Sequence, residues 1–405
     1  MINPYIFTIL LYLFIAIFGA LDASLVSYQL LPWVNGLRWM RVHLITLGIL
    51  TQLIFALMPA LVAHKLEETK QKFRWDIWLT LNMGILALLY GIPLINFPAI
   101  ITGGTLVFIA ATLLTVQLSK LKNTAASTST SDDIDPHIGR KFYIGGLSYF
   151  LLGIFIGTGL WLGWPAMLNM QSPVEVHIHA NNFGLMALVF AGLLIDIYPK
   201  VTGRELAQPR SITPIFWMMT LGALGLVLGP WTGSLVFTVP GLILHVSSTI
   251  WLLVNIITPL KGDRQAWTPG IIHLITAYFW ILVPILIGPF IILGVSGIPE
   301  VAIEANAPQA LIYGWLLQFG YALVPYFFSR ALYPEKPTAQ LGGTWFSLVM
   351  VNLGGAFLWA SIFNEPNYGV LHGTAYLLWA LSFLPIAKQI WDILPRQSTN
   401  NLFVE

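Results

Sequence analysis

The chain is predicted to be an all-α integral membrane protein of twelve transmembrane helices, built as a pseudo-threefold bundle of three four-helix units. Charged residues make up 9% of its 405 residues and hydrophobic ones 57%, whereas a soluble protein carries about 25% charge. Mean hydropathy is +0.78. Apolar runs long enough to cross a hydrocarbon layer of ~30 Å as helix recur from end to end.

The spans read as roughly 5–32, 41–63, 76–97, 99–120, 142–164, 176–199, 212–230, 234–259, 269–294, 306–328, 341–363 and 369–394. Residues 5–33 form too long an apolar stretch, without a basic start, for a cleavable signal peptide. The sixteen tryptophans suit the aromatic belts of a bilayer protein. With no cysteine present, disulfides, thiolate metal sites and iron–sulfur ligation are excluded. The formal charge of +2 carries no indication of nucleic acid, because topology distributes the basic residues.

Lysine and arginine set the orientation. The loops after the even-numbered spans, with the C-terminal tail, hold 17 of the 19 basic residues. Both termini are therefore expected in the cytoplasm, with the chain in a bacterial or archaeal-type cytoplasmic membrane. Arg38 and Arg41, in the first outer loop, are the two exceptions. Residues 123–139, beginning with the polar run Asn123–Asp135, read as a cytoplasmic linker.

An internal repeat divides the single membrane domain, 1–405, into units of about 1–122, 140–262 and 266–396. Spans 1, 5 and 9 share a tyrosine close to a phenylalanine: Tyr12 and Phe14, Tyr149-Phe150, Tyr278-Phe279. Spans 2, 6 and 10 end near Pro59, Pro199 and Pro325. Spans 3, 7 and 11 open near Trp78, Trp217 and Trp345, and spans 8 and 12 share Leu-His-x-(Ser/Thr) at His245 and His372. Such a bundle encloses three internal pores, each able to hold a cofactor away from lipid.

Of the eight histidines, His64 and His137 fall in cytoplasmic loops and read as solvated. The other six lie in or at spans, where ionisable residues are rare and mark function. The plainer reading of any one of them is a neutral ring hydrogen-bonded to a neighbouring helix. His177 and His179 stand apart. Residues i and i+2 of a helix point about 200° apart, so the two rings cannot easily share one small ion but can serve two adjacent pores. Neutral imidazole is a usual axial ligand of heme iron. His43 lies 16 residues before Pro59 and His179 20 before Pro199, so all three fall at comparable depth in the outer half of the membrane. Arg38 and Arg41, just outside His43, suit heme propionates or lipid phosphate. Asp22 lies at the same level. His245 and His372 follow as candidates, and His273, toward the cytoplasmic side, ranks last. Glu175 and Asp196 read as marking the ends of span 6.

The segment Val176-His177-Ile178-His179-Ala180-Asn181-Asn182-Phe183-Gly184, followed by Tyr198-Pro199-Lys200-Val201-Thr202-Gly203-Arg204, resembles the His-x-His helix of heme–copper oxidase catalytic subunits. The nitric oxide reductase and c-cytochrome-linked branches are the most similar. Arg41-Val42-His43 through Met58-Pro59 is similar to the helix that carries a low-spin heme ligand in that family. The resemblance implies twelve helices, threefold pseudosymmetry, cytoplasmic termini, and His177 and His179 each binding a heme. The chain departs from the pattern in two respects: His-x-His sits on span 6 rather than 10, and no His-His pair is available for copper. Twelve-helix heme–copper proteins of nitric oxide metabolism, the NnrS type, are also similar in helix count and histidine placement.

The expected function is thus a membrane protein with one or two b hemes, in electron transfer or in binding or reduction of oxygen or nitric oxide. Copper is a further possible cofactor, though no His-His motif supports it. Partners would be lipid and a separate cytochrome, quinol or redox subunit, since no Cys-x-x-Cys-His is present. A transporter with internal repeats and a cofactor-free assembly subunit are the other readings. Both would lack heme.

Overall fold

The computed structural model describes residues 4–33, 37–65, 73–121, 138–333 and 339–394. Among them every regular element is helical. The long helices are α1 (Pro4–Ser27), α2 (37–65), α3 (Trp75–Gly91), α4 (Phe97–Lys120), α5 (Ile138–Leu162) and α6 (Pro173–Thr202). Then follow α7 (Ile212–Thr232), α8 (Leu235–Ile257), α9 (Pro269–Ile292), α10 (Glu300–Leu332), α11 (Trp345–Phe363) and α12 (368–393). Eleven are long and apolar enough to cross a membrane, making this an all-α integral membrane protein; α3, at 17 residues, falls short of that set. Residues 122–137, with most of the polar linker and His137, and the side chain of His64 lie outside the described residues.

Backbone chemistry sets two helix ends earlier than the apolar runs suggest. α1 stops at Ser27, because Gln29 adopts a left-handed backbone at φ 60° and Pro32 cannot donate a helical hydrogen bond. α3 stops at Gly91, with Ile95 at φ 52°. Asn96 then starts α4 by accepting the Ala99 amide at 3.0 Å through its side chain, an N-cap that satisfies an otherwise orphaned donor.

α2, α6 and α10 form the interior. Their apolar windows are 67%, 83% and 83% buried, against 50% or less for the other spans. All three carry a π-helical segment in the middle: Leu44–Leu50, Ala180–Met186 and Leu311–Leu316. Such insertions are rare and favour functional sites. Each segment holds a glycine under an aromatic ring of the helix before it. A Cβ on Gly48 would meet Tyr12 Cγ at 2.8 Å, one on Gly184 Tyr149 Cγ at 2.3 Å, and one on Gly314 Trp280 Cγ at 2.5 Å. The ring over Gly314 is thus Trp280, two residues past the Tyr278 that the sequence pattern pairs with Tyr149.

Two of these contacts are pinned by buried polar groups. Thr8 donates to Gln52 Oε1 at 3.1 Å, and Gln52 donates to Asn82 at 2.7 Å. Thr276 donates to Gln318 Oε1 at 2.9 Å, and Asn352 donates to the same oxygen at 3.2 Å. At the corresponding place beside Gly184, a Cβ on Gly145 would lie 3.4 Å from Leu188. The pairs α3–α4 and α7–α8 close on glycine. A Cβ on Gly103 would come within 2.9 Å of the Gly84 carbonyl, and one on Gly225 within 2.7 Å of the Gly241 Cα. Small residues let backbones approach where no hydrophobic force drives helices together.

Gly184→Ala is expected to destabilise the protein by about 1–3 kcal/mol, the usual cost of overpacking. Gly320→Ala, where a Cβ meets nothing within 4 Å, is expected to be neutral or stabilising by up to about 1 kcal/mol. Thermal unfolding in detergent compares the two directly.

Candidate functional site

The π segments of α2 and α6 begin immediately after a histidine: His43 precedes Leu44 and His179 precedes Ala180. Across the α2–α6 gap, His43 meets His177, with ring centres 6.3 Å apart and planes 23° from parallel. Both rings are deep in the protein yet only partly buried, as expected of side chains lining an internal space. The separation is too wide for direct stacking. It suits one atom or one flat group between the rings.

Each ring is held from behind. His43 Nδ1 lies 2.8 Å from the Trp39 carbonyl one turn earlier, and its ring stacks on Trp39 at 4.2 Å. His177 Nδ1 lies 2.9 Å from the Gly153 carbonyl of α5. Gly157 makes room for that ring, since a Cβ there would come within 2.6 Å of it. A carbonyl can only accept, so Nδ1 carries the proton in both rings. The lone pair of each neutral imidazole is then on Nε2. A backbone carbonyl that fixes the tautomer in this way is the usual support of a metal-ligating histidine. Two imidazoles on opposite sides of one metal ion, with bonds of ~2 Å and ~1 Å more to each ring centre, would be roughly 6 Å apart. The 6.3 Å between the His43 and His177 ring centres is close to that spacing.

His179 points to the other side of α6. Its Nδ1 lies 2.6 Å from the Leu226 carbonyl of α7, which sets the same tautomer. Phe183 is its neighbour, with ring centres 5.0 Å apart, and Phe183 in turn lies 5.2 Å from His245. His245 is fully buried, its backbone is tight against Gly222, and neither ring nitrogen completes a hydrogen bond of good geometry. Phe183 thus stands in contact with both histidines.

Arg41 faces away from His43. Its guanidinium carbon lies 5.3 Å from the ring centres of both Trp33 and Tyr376. Arg41 is therefore not aimed at the His43–His177 gap. His372 Nδ1 lies 2.8 Å from Ser27 Oγ, whose own hydroxyl donates to the Ala23 carbonyl at 2.7 Å. Tyr368 and Tyr376 flank its ring at 4.9 and 5.0 Å.

His273 is a different kind of residue. Nδ1 reaches Gln318 at 3.2 Å and Nε2 reaches Ser347 at 2.9 Å, so both nitrogens are consumed. Asp196, expected at a helix end, is instead buried and accepts the Tyr143 hydroxyl at 2.7 Å. Among the described residues, no three histidine, aspartate or glutamate side chains converge as a metal-binding group. Sequence reasoning missed Phe183, Tyr313 and Tyr376. Tyr376 follows His372 by one helical turn, a spacing that signals a shared face.

His273→Leu leaves Gln318 and Ser347 without their shared partner. It is expected to lower stability by about 1–3 kcal/mol, read by thermal unfolding, while leaving any metal or heme absorbance unchanged. Compared with known proteins, the chain matches no family model and no curated sequence.

Proposed function

We propose that this chain is a heme-binding integral membrane protein, akin to the catalytic subunits of heme–copper oxidases and acting in electron transfer or in binding a diatomic gas. The observation that carries the reading is the His43–His177 pair, two facing imidazoles whose Nδ1 atoms are both tied to backbone carbonyls. Heme iron, when bound, supplies one-electron chemistry and, at any open axial position, affinity for oxygen, nitric oxide or carbon monoxide. His43 and His177 would hold one heme from both sides. His179 would hold a second heme alone, since Phe183 rather than another imidazole is its nearest ring.

The architecture that goes with this reading is twelve spans in three units, with α3 as the short twelfth. The three π segments support it. Arg41 and His43 lie seven and five residues before Gly48; His177 and His179 lie seven and five before Gly184; Ala307 and Gln309 hold those places before Gly314. On α2 and α6 the earlier position faces one pore and the later position the next, as a threefold rotation requires. Both termini are assigned to the cytoplasm, and the histidines then lie in the outer half of the membrane. Electrons would come from a separate cytochrome, quinol or redox subunit.

Protein purified from heme-replete cells is expected to show a Soret band. His43→Ala and His177→Ala should each abolish the same six-coordinate heme spectrum, and His179→Ala should abolish the carbon monoxide response. A colourless, iron-free preparation would refute the proposal. Independent effects of His43→Ala and His177→Ala would refute their pairing.

A further inference from the structure

A second cluster of buried polar side chains, from α2, α10 and α12 beside Ser27 of α1, lies on the far side of α2. Arg41 is 4% exposed, and its Nε and Nη1 have no hydrogen-bond partner. The hydroxyls of Tyr313 and Tyr376 are buried and unpartnered, as is Nε2 of His372. The rings of Tyr313 and Tyr376 lie 5.3 Å apart, and those of Tyr376 and His372 5.0 Å. Arg41 lies over the same Tyr376 ring, at 5.3 Å from its centre. Four side chains from three helices thus bring buried, unpartnered polar atoms into one neighbourhood.

An unpaired buried charge is among the most costly groups a protein can hold. The rings of Trp33 and Tyr376 over the guanidinium offset part of that cost. They leave its N–H edges unfilled. Asp22 does not complete the group: its Oδ2 is itself buried without a hydrogen-bond partner, and no ion pair joins it to Arg41. The complement to a guanidinium fork and two phenolic donors is a compact oxyanion. His372 adds a lone pair: Ser27 Oγ spends its proton on Ala23 and must accept from Nδ1, leaving Nε2 to accept. Trp33, 55% exposed, lies over the guanidinium at 5.3 Å.

We propose that Arg41, Tyr313, Tyr376 and His372 form a binding site for a small monovalent oxyanion, of carboxylate or bicarbonate size. The site is separate from the histidine gap and does not depend on its occupancy by heme. Arg41 and His43 are two residues apart on α2, so the body of that helix stands between the cluster and the gap. The tyrosines and Arg41 hold the charged oxygens; a ligand hydroxyl, where present, donates to His372 Nε2.

The test uses the purified full chain in detergent, titrated with formate or bicarbonate against gluconate at equal ionic strength. Saturable binding by calorimetry and a raised melting temperature are expected with the small anions only. Arg41→Gln should weaken binding at least tenfold, yet raise the melting temperature in gluconate, because it removes an unpaired charge. Tyr313→Phe and Tyr376→Phe, which keep the rings, should each weaken binding several-fold, whereas His177→Ala should not. Equal binding by parent and Arg41→Gln, or none by the parent, would overturn the site. Formate binding that emerges only after His43→Ala or His177→Ala would assign the pocket to a cofactor carboxylate and overturn the free-anion reading. A melting temperature that falls with both Asp22→Asn and Arg41→Gln in gluconate would make the two residues a charge pair and overturn it as well.

Discussion

The hydrogen bond from an imidazole Nδ1 to a carbonyl of the protein backbone underlies the candidate site. In a bilayer interior an unmet polar group finds no water, so a buried histidine must be satisfied by the protein or by a ligand. His43, His177 and His179 each spend one nitrogen on a carbonyl. Orientation, tautomer and the direction of the remaining lone pair all follow from that bond. The carbonyls are available because of local backbone: Gly153 and Gly157 bring α5 close enough to α6 for His177 to reach across. His273 shows the opposite use of the same side chain. With both nitrogens bonded, it ties α9 to α10 and α11 and has nothing left for a metal.

The three clusters of buried rings differ in the side chains they bring together. The α2–α6 gap has two facing imidazoles, the α6–α8 side has a phenylalanine between two, and the α10–α12 side has an arginine with two phenols and one imidazole. The support beneath them varies as well. Thr8–Gln52–Asn82 and Thr276–Gln318–Asn352 are polar pins, and Gly145 with Leu188 is an apolar one. A buried polar pin specifies register more sharply than an apolar contact, because a shift by one residue leaves several groups unsatisfied.

Much of this was legible before any coordinates. Apolar runs located the helices, and the 200° relation between i and i+2 sent His177 and His179 to different sides. The same relation separates Arg41 from His43, yet proximity in sequence drew both toward one site; only their contacts show Arg41 turned to Tyr376. Helix ends at Ser27 and Gly91 were hidden because Leu30, Leu31 and Leu94 continue the apolar pattern past the point where the backbone turns. The π segments were invisible, since no residue type announces a bond to the fifth residue rather than the fourth. Asp196 read as a cap because its partner, Tyr143, lies 53 residues away.

Those π segments also divide α2, α6 and α10 into two halves each. A π turn is one residue longer than the α-helical turn it replaces, and one residue of helix is about 100° of rotation. Removing a residue from Ala180–Met186 would swing His177 and His179 around the helix axis while Ala187–Thr202 stayed in its packing. Each inner helix therefore contains a point at which the facing of its first half can change by a single insertion or deletion, without rebuilding the packed half that follows.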